Sequence, residues 1–142
     1  MSEKTLKVFI CSTYSDLINE RKSILEVTRQ LQLLHASMEF FGARPETPLE
    51  TVLDEVKTSD IVVIIIGYRY GTLVPGRRVS YTEVEYKEAW KNKKPCLVYI
   101  RSDDLPILPS HIEREPSKIK SLEKFKTLLR SSRVLKKSLP GN

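Results

Sequence analysis

Cysteine and histidine are scarce in this sequence, and that scarcity argues against several kinds of site. The 142 residues include two cysteines, Cys11 and Cys96, and two histidines, His35 and His111. Neither histidine lies at metal-ligand spacing from a cysteine or from the other histidine, so we expect no zinc site and no resident cofactor. A Ser-His-Asp triad is disfavoured as well. Both thiols are expected to be reduced and to pack as small core residues.

Long apolar runs are also missing. The longest, residues 61–66, has six residues, whereas a membrane-spanning helix needs roughly 20. The first five residues, Met-Ser-Glu-Lys-Thr, contain no apolar segment of the kind found in signal peptides. The sequence therefore predicts a cytoplasmic protein with no membrane partner.

Positive charge is abundant but unevenly distributed. The net charge is +6, from 24 Lys and Arg against 18 Asp and Glu. Residues 116–142 contain eight basic residues and one acidic residue, so they carry +7 and the first 115 residues sum to −1. Because this segment has no nucleic-acid motif, we interpret it as a solvated helix face and not as a DNA or RNA site.

Strand-like and helix-like segments alternate along the chain. Apolar runs predict strands at residues 6–11, 38–41, 61–66 and 95–100. Capping boxes at residues 47–50 and 80–83 predict the starts of the second and third helices, with Pro48 as the first residue of the second. Asp16 is the expected N-cap of the first helix and Ser117 that of the fourth. The expected apolar faces are Leu17, Ile24, Val27, Leu31 and Leu34 in the first helix, and Ile119, Leu122, Phe125, Leu128 and Leu129 in the fourth.

This alternation predicts an α/β protein with a three-layer α/β/α, flavodoxin-like fold. We expect a parallel sheet of four to five strands in the order 2-1-3-4(-5). Residues 1–133 are predicted to form the domain, and the basic residues 134–142 a disordered tail or a domain boundary.

The carboxyl ends of the first and third strands are the expected ligand site, because ligands bind such sheets where the strand order reverses. Residues 12–16 and 67–71 follow those strands, and the loop at residues 67–79 is longer than ordinary connections. The sequence has neither Gly-x-Gly-x-x-Gly after the first strand nor a Gly-Lys-Ser/Thr loop. A dinucleotide-binding Rossmann domain and a P-loop NTPase are therefore disfavoured.

Glu85 is the carboxylate of the third helix that most needs an explanation. At 100° per residue it lies near Thr82 on the shoulder of the apolar face, whereas Glu83 is accounted for by the capping box with Ser80. A partly buried carboxylate requires a partner or borders a cleft. Two interpretations stay open: a catalytic carboxylate, or a structural ion pair with an arginine such as Arg69.

A set of motifs covers nearly the whole chain: residues 7–17 (KVFICSTYSDL), Glu20 and Arg21, 38–42 (MEFFG), 59–61 (SDI), 67–71 (GYRYG), 80–86 (SYTEVEY) and 94–98 (KPCLV). Together they resemble the family called domain of unknown function 4062. That family is grouped with Toll/interleukin-1 receptor (TIR) domains and nucleoside 2-deoxyribosyltransferases. The resemblance implies a flavodoxin-like, TIR-like fold.

The resemblance also implies a chemistry. Many TIR domains carry an aromatic residue four positions before a glutamate needed for NAD cleavage, a spacing that Tyr81 and Glu85 match. The transferases carry Thr-x-x-Glu-x-Gly-x-Ala around their nucleophile, which Thr82, Glu85 and Ala89 match while Lys87 replaces the glycine. The resemblance therefore implies cleavage of an N-glycosidic bond of NAD(P) or a related nucleotide in defence or signalling. Glu85 is the implied catalytic residue.

The nucleotide would be a substrate and not a cofactor, held by the loops around Glu85. Arg69 would meet a phosphate in a fork geometry, and Tyr68 or Tyr70 would stack on a base. The expected substrate-binding residues are Ser12, Thr13, Tyr14, Gly67, Tyr68, Arg69, Tyr81 and Thr82.

An alternative interpretation is a non-catalytic, TIR-like oligomerisation or sensor module of a larger signalling protein. The expected partners are a small nucleotide, further copies of this chain, and a larger protein joined by fusion; in the alternative interpretation the nucleotide pocket is vestigial.

Overall fold

The structure, a computed structural model, describes residues 6–32, 34–36, 48–102, 104, 106–131 and 135–139. Strands and helices alternate along it. They are β1 Lys7–Ser12, α1 Ile18–Gln30, β2 Leu34–Ala36, α2 Leu49–Thr58, β3 Ile61–Ile66, α3 Tyr81–Lys91, β4 Cys96–Arg101, a short 3-10 turn at Pro109–His111, α4 Pro116–Ser131 and β5 Leu135–Leu139. The predicted α/β class is confirmed. Of the helices in these ranges, none has the length and apolar character needed to cross a membrane.

The strands form one parallel sheet, as the sequence predicts. Their order is β2-β1-β3-β4-β5, with β3 in the middle. Ser12 pairs with Ile65, and Ile66 pairs with Ile100. β1, β3 and β4 therefore end side by side, and the loops that leave them share one rim, referred to below as the carboxyl edge.

Helices cover the sheet on both faces. On one face, Ile24 and Leu25 of α1 pack against a core cluster that includes Val8 and Ile10 of β1. On the other face, Cys11 belongs to a larger core cluster built with α2, α3 and α4. Because successive side chains of a strand point to opposite faces, Cys11 faces α3 while its neighbour Ser12 faces α1.

The third helix begins as predicted, since the Glu83 N–H donates to the Ser80 hydroxyl at 3.2 Å. The other predicted helix starts are wrong. The N-cap of α1 is Leu17 and not Asp16. Pro48 is the N-cap of α2 and not its first helical residue. Helix α4 already begins at Pro116, so Ser117 lies inside it. Thr47 and the predicted strand at residues 38–41 lie outside the described residues, while β2 spans Leu34–Ala36.

The buried faces of α1 and α4 also differ from the predicted ones. In α1, Val27 and Leu31 are exposed, and Leu34 lies in β2; in α4, Ile119 and Leu128 are exposed. The buried positions instead include three polar residues at helical spacing, namely Arg21 and Thr28 in α1 and Lys126 in α4. Each of these helices therefore carries polar side chains into the interior.

The predicted boundary at residue 133 does not end the sheet. Leu135–Leu139 form β5, which runs parallel to β4 and pairs Leu97 with Leu135. β5 is the last strand in the sheet order and therefore an edge strand. The segment predicted as a basic tail, residues 134–142, therefore includes one strand of the sheet.

Candidate functional site

Glu85 lies on the buried face of α3, one turn after Thr82. Only 4% of the surface of Glu85 is exposed to solvent. Its carboxyl group shares a hydrogen bond with the thiol of Cys11 at the end of β1. Burial raises the pKa of Glu85 to about 8, while the Cys11 hydrogen bond and the charge of Arg21 act in the opposite direction. Glu85 is therefore mostly protonated at neutral pH.

The Cys11 thiol is an unreactive member of this cluster. Its sulfur lies 3.2 Å from the Thr82 carbonyl oxygen. Burial, and then the neighbouring Glu85, raise the pKa of Cys11 well above its ordinary value. Because the thiolate is the nucleophilic form, Cys11 is a core residue, as the sequence predicts, and not a nucleophile.

The cation that faces Glu85 is Arg21 of α1. Arg21 is fully buried, and its Nη1 donates to the Ser12 hydroxyl at 2.6 Å. The guanidinium carbon lies 5.8 Å from the centroid of the Tyr14 ring, within cation–π range. Arg69, the predicted structural partner of Glu85, instead donates to the Ser15 hydroxyl at 3.4 Å.

The loop after β3 is a braced hairpin built around Tyr70. The Tyr70 N–H donates to Glu113 Oε1 at 3.0 Å, and the Tyr70 hydroxyl donates to Glu83 Oε1 at 2.6 Å. The Ser80 N–H donates to the same hydroxyl at 3.2 Å. Tyr70 thus joins the start of α3 to the segment before α4, and the loop forms a fixed wall of the carboxyl edge.

Gly71 brings this hairpin against the loop after β1. Its φ is +98°, and a Cβ at this position would lie 2.8 Å from Thr13 Cγ2. Gly76, at the exposed hairpin tip, has φ +76° but no atom within 4 Å of the corresponding position. Only Gly71 therefore combines a left-handed backbone with a close contact.

We expect Gly71→Ala to lower the free energy of unfolding by about 2–4 kcal/mol, because it adds a steric conflict to backbone strain. Gly76→Ala is the matched control and is expected to cost about 1 kcal/mol from backbone strain alone. Urea denaturation of both variants measures the difference. Equal losses would show that the contact with Thr13 relaxes freely.

A cleft of about 340 Å³ opens at the carboxyl edge. Its wall is formed by the loop after β1 and the first turn of α1, by Tyr68 and Arg101 beyond β3 and β4, and by residues 106–108 and 111. Arg101 forms a salt bridge with Glu20 across this wall. The volume falls within the range of small-molecule sites.

The predicted binding residues divide between the cleft and the buried cluster. Tyr68 lines the cleft, and its hydroxyl donates to the Ser102 carbonyl. Thr13 and Arg69 bond to Asp16 and Ser15, which belong to the cleft wall. Gly67 lies against the carboxylate of Asp16.

The remaining predicted residues lie deeper or to the side. Ser12 is buried against Arg21, Thr82 is buried one turn before Glu85, and the Tyr14 ring lies over Arg21. Tyr81 is half-buried and its N–H donates to the Thr72 carbonyl. Glu85 does not line the cleft.

Two functional candidates, Arg21 and Arg101, escape sequence reasoning, whereas Asp16 belongs to residues 12–16, which are predicted to border the ligand site. Arg21 follows Leu17 by one helical turn, so its spacing alone could have placed it on the buried face. Asp16 itself is predicted as a helix cap and not as a binding residue. Arg101 lies at the end of β4, and no sequence motif around it indicates a binding role. Within the described ranges, no three His, Cys, Asp or Glu side chains come together as metal ligands.

The parallel sheet, with helices on both faces, defines an α/β protein with an open sheet, and in this class the carboxyl edge is where ligands generally bind. Residues 7–138 match the family described as "Domain of unknown function (DUF4062)", and the chain belongs to this family. One solved structure to which it is similar is the crystal structure of a prokaryotic SEFIR domain, with TM-score 0.47 and 16% sequence identity, covering 96% of this chain and 100% of that chain. No curated protein matches the sequence.

Proposed function

We propose that this chain is a TIR-like signalling domain that binds a nucleotide of the NAD(P) class at the carboxyl edge of its sheet. The proposal is carried by the gathering of predicted binding residues at one cleft, where Tyr68 lines the wall and Thr13 and Arg69 bond to it. The Tyr68 ring offers stacking to a base, and the half-buried guanidinium of Arg69 suits a phosphate.

In its finer form, the proposal is that Glu85 catalyses cleavage of the N-glycosidic bond. The bond between nicotinamide and ribose breaks with its electron pair leaving on nicotinamide, and water adds to the ribosyl carbon. An ionised carboxylate stabilises the positive charge that develops on that carbon. The same chemistry would extend to a related nucleotide or nucleoside, as the resemblance to the deoxyribosyltransferases implies.

In the conformation of this structure, called closed below, Glu85 is buried, and we infer that this conformation is inactive. A carboxyl group that is 4% exposed and mostly protonated can neither contact a ribose nor stabilise a cation. Access for water or ligand would lower its pKa towards the ordinary 4.5 and ionise it. We infer that turnover follows a rearrangement that opens Glu85, with homotypic assembly of the domain as the trigger.

Nicotinamide release from NAD, followed at low and high protein concentration, tests this function. We expect release to rise with assembly and to fall by about 100-fold or more in Glu85→Gln. Glu88→Gln, on the same helix beside Lys57, is the control and should retain wild-type release. Equal release from the wild type and Glu85→Gln would exclude Glu85 as the catalytic residue.

The alternative is a non-catalytic oligomerisation or sensor module within a larger signalling or defence protein. The enclosure of Glu85 between Cys11 and Arg21 favours it, because a closed cluster of this kind also serves as a structural core. The same assay separates the two functions. Binding of NAD without nicotinamide release at every protein concentration would select the sensor.

A further inference from the structure

Two buried side-chain atoms, Asp16 Oδ2 and Arg101 Nε, have no hydrogen-bond partner. Within the described part of the chain they are the only buried side-chain atoms in this condition, and both residues line the cleft at the carboxyl edge. Native proteins satisfy nearly all buried polar groups. Because both residues line one cleft, a ligand that enters its wall could pair with the unpaired acceptor and the unpaired donor, which are both covered in this structure.

The rest of each side chain is firmly held. Asp16 is 7% exposed, its other carboxylate oxygen accepts from the Thr13 hydroxyl, and burial raises its pKa. Arg101 uses Nη1 in its salt bridge with Glu20. Each residue thus has an anchored group and one buried side-chain atom without a hydrogen-bond partner.

Gly67 makes room for the Asp16 carboxylate. A Cβ on Gly67 would lie 2.9 Å from Asp16 Oδ2, which is too close for a carbon and an oxygen that are not bonded. Because Gly67 has no side chain, the unpaired oxygen can rest against its backbone at the end of β3. The position of Asp16 is therefore fixed by two segments, by Thr13 in the loop after β1 and by Gly67 at the start of the hairpin.

The charges around the cleft limit which chemical groups of a ligand can pair with both atoms. A phosphate would satisfy Arg101 Nε but would face the carboxylates of Asp16 and Glu20. An ammonium group would satisfy Asp16 Oδ2 but would face Arg101 and the positive charge of Arg69. A hydroxyl both donates and accepts hydrogen bonds and carries no charge, so hydroxyls satisfy both positions without repulsion.

We propose that Asp16 and Arg101 form a sugar-hydroxyl subsite, in which Asp16 Oδ2 accepts from, and Arg101 Nε donates to, the ribose hydroxyls of the bound nucleotide. This inference rests on the proposed nucleotide binding and names the part of the ligand that the cleft recognises. It leaves Arg69 available for phosphate and the Tyr68 ring for the base.

The test compares ADP with 2′,3′-dideoxy-ADP, which differ only in the two hydroxyls, by titration calorimetry. We expect the wild type to bind ADP about 10-fold or more tightly than the dideoxy compound, as for hydrogen bonds to charged groups. In Asp16→Asn and Arg101→Lys this ratio should fall towards 1. Gly67→Ala should lower it as well, because the added Cβ displaces Asp16 without changing charge.

Glu26→Gln and Arg29→Lys are the matched controls, because this exposed ion pair lies on α1 outside the cleft. Both should keep the wild-type ratio. Equal binding of the two nucleotides by the wild type, or an unchanged ratio in Asp16→Asn and Arg101→Lys, would overturn the subsite while leaving nucleotide binding intact. Failure of the wild type to bind either nucleotide would overturn both proposals.

Discussion

Raising the pH from 5 to 9 is expected to lower the free energy of unfolding by roughly 3–5 kcal/mol through Glu85 alone. In the folded protein the pKa of Glu85 is about 8, against an ordinary value of 4.5. Between these values the folded state keeps a proton that the unfolded state has released. Folding therefore binds protons in this window, and stability falls as the pH rises through it.

Urea denaturation at pH 5, 7 and 9 measures this effect. Glu85→Gln should remove most of the slope, because an amide carries no charge at any pH, and the variant should exceed the wild type in stability at pH 9. Glu88→Gln is the control on the same helix and should keep the wild-type slope. An unchanged slope in Glu85→Gln would show that another group controls the pH dependence.

The same titration connects stability with the proposed activity. Ionised Glu85 is costly in the closed cluster and inexpensive in contact with water, so ionisation shifts the equilibrium towards conformations in which α3 exposes it. The proposed reaction needs that ionised form. In the proposed mechanism, the protonation state that stabilises the fold would therefore keep Glu85 from acting.

The central elements of this fold can be predicted from the sequence because their signals are local. The continuous apolar run of β3 and the Ser80 cap of α3 depend on residues next to each other in the chain. The carboxyl edge follows from the α/β alternation, because parallel strands end at one rim. These features place Glu85 near the candidate site before any contact is known.

The polar interior escapes prediction because a periodic pattern of apolar residues indicates only the apolar part of a buried helix face. Arg21 is buried because its guanidinium finds Ser12 and the Tyr14 ring. Lys126 is 4% exposed, and its ammonium lies 5.9 Å from the centroid of the Tyr68 ring. All three partners lie outside the helices that carry Arg21 and Lys126, so periodicity within one helix does not reveal them.

The partner of Glu85 depends on the tertiary fold in the same way. Sequence proximity favoured Arg69, which precedes α3 in the hairpin loop. The fold instead places α1 and α3 on opposite faces of β1. At the end of β1, Cys11 points towards Glu85 of α3 and Ser12 points towards Arg21 of α1. Arg21 and Glu85 therefore approach each other around the end of this strand. The cation therefore comes from α1.

Replacing Arg21 with methionine is expected to lower the free energy of unfolding by about 3–5 kcal/mol. Methionine retains much of the aliphatic stem, so the loss comes mainly from the buried charge and its hydrogen bonds, which include the one to Ser12. Lys22→Met, at the exposed neighbouring position, should stay within about 0.5 kcal/mol of the wild type. Urea denaturation at pH 7 measures both.

A double-mutant cycle of Arg21→Met and Glu85→Gln separates the charge of Arg21 from its packing. At pH 7 Glu85 is mostly protonated, so the coupling energy between the two sites should be small. At pH 9 Glu85 is ionised and faces the guanidinium, and the coupling should grow by about 1 kcal/mol or more. A coupling energy that is the same at both pH values would mean that Arg21 stabilises the domain through Ser12 and Tyr14, and that the carboxylate is held closed by burial alone.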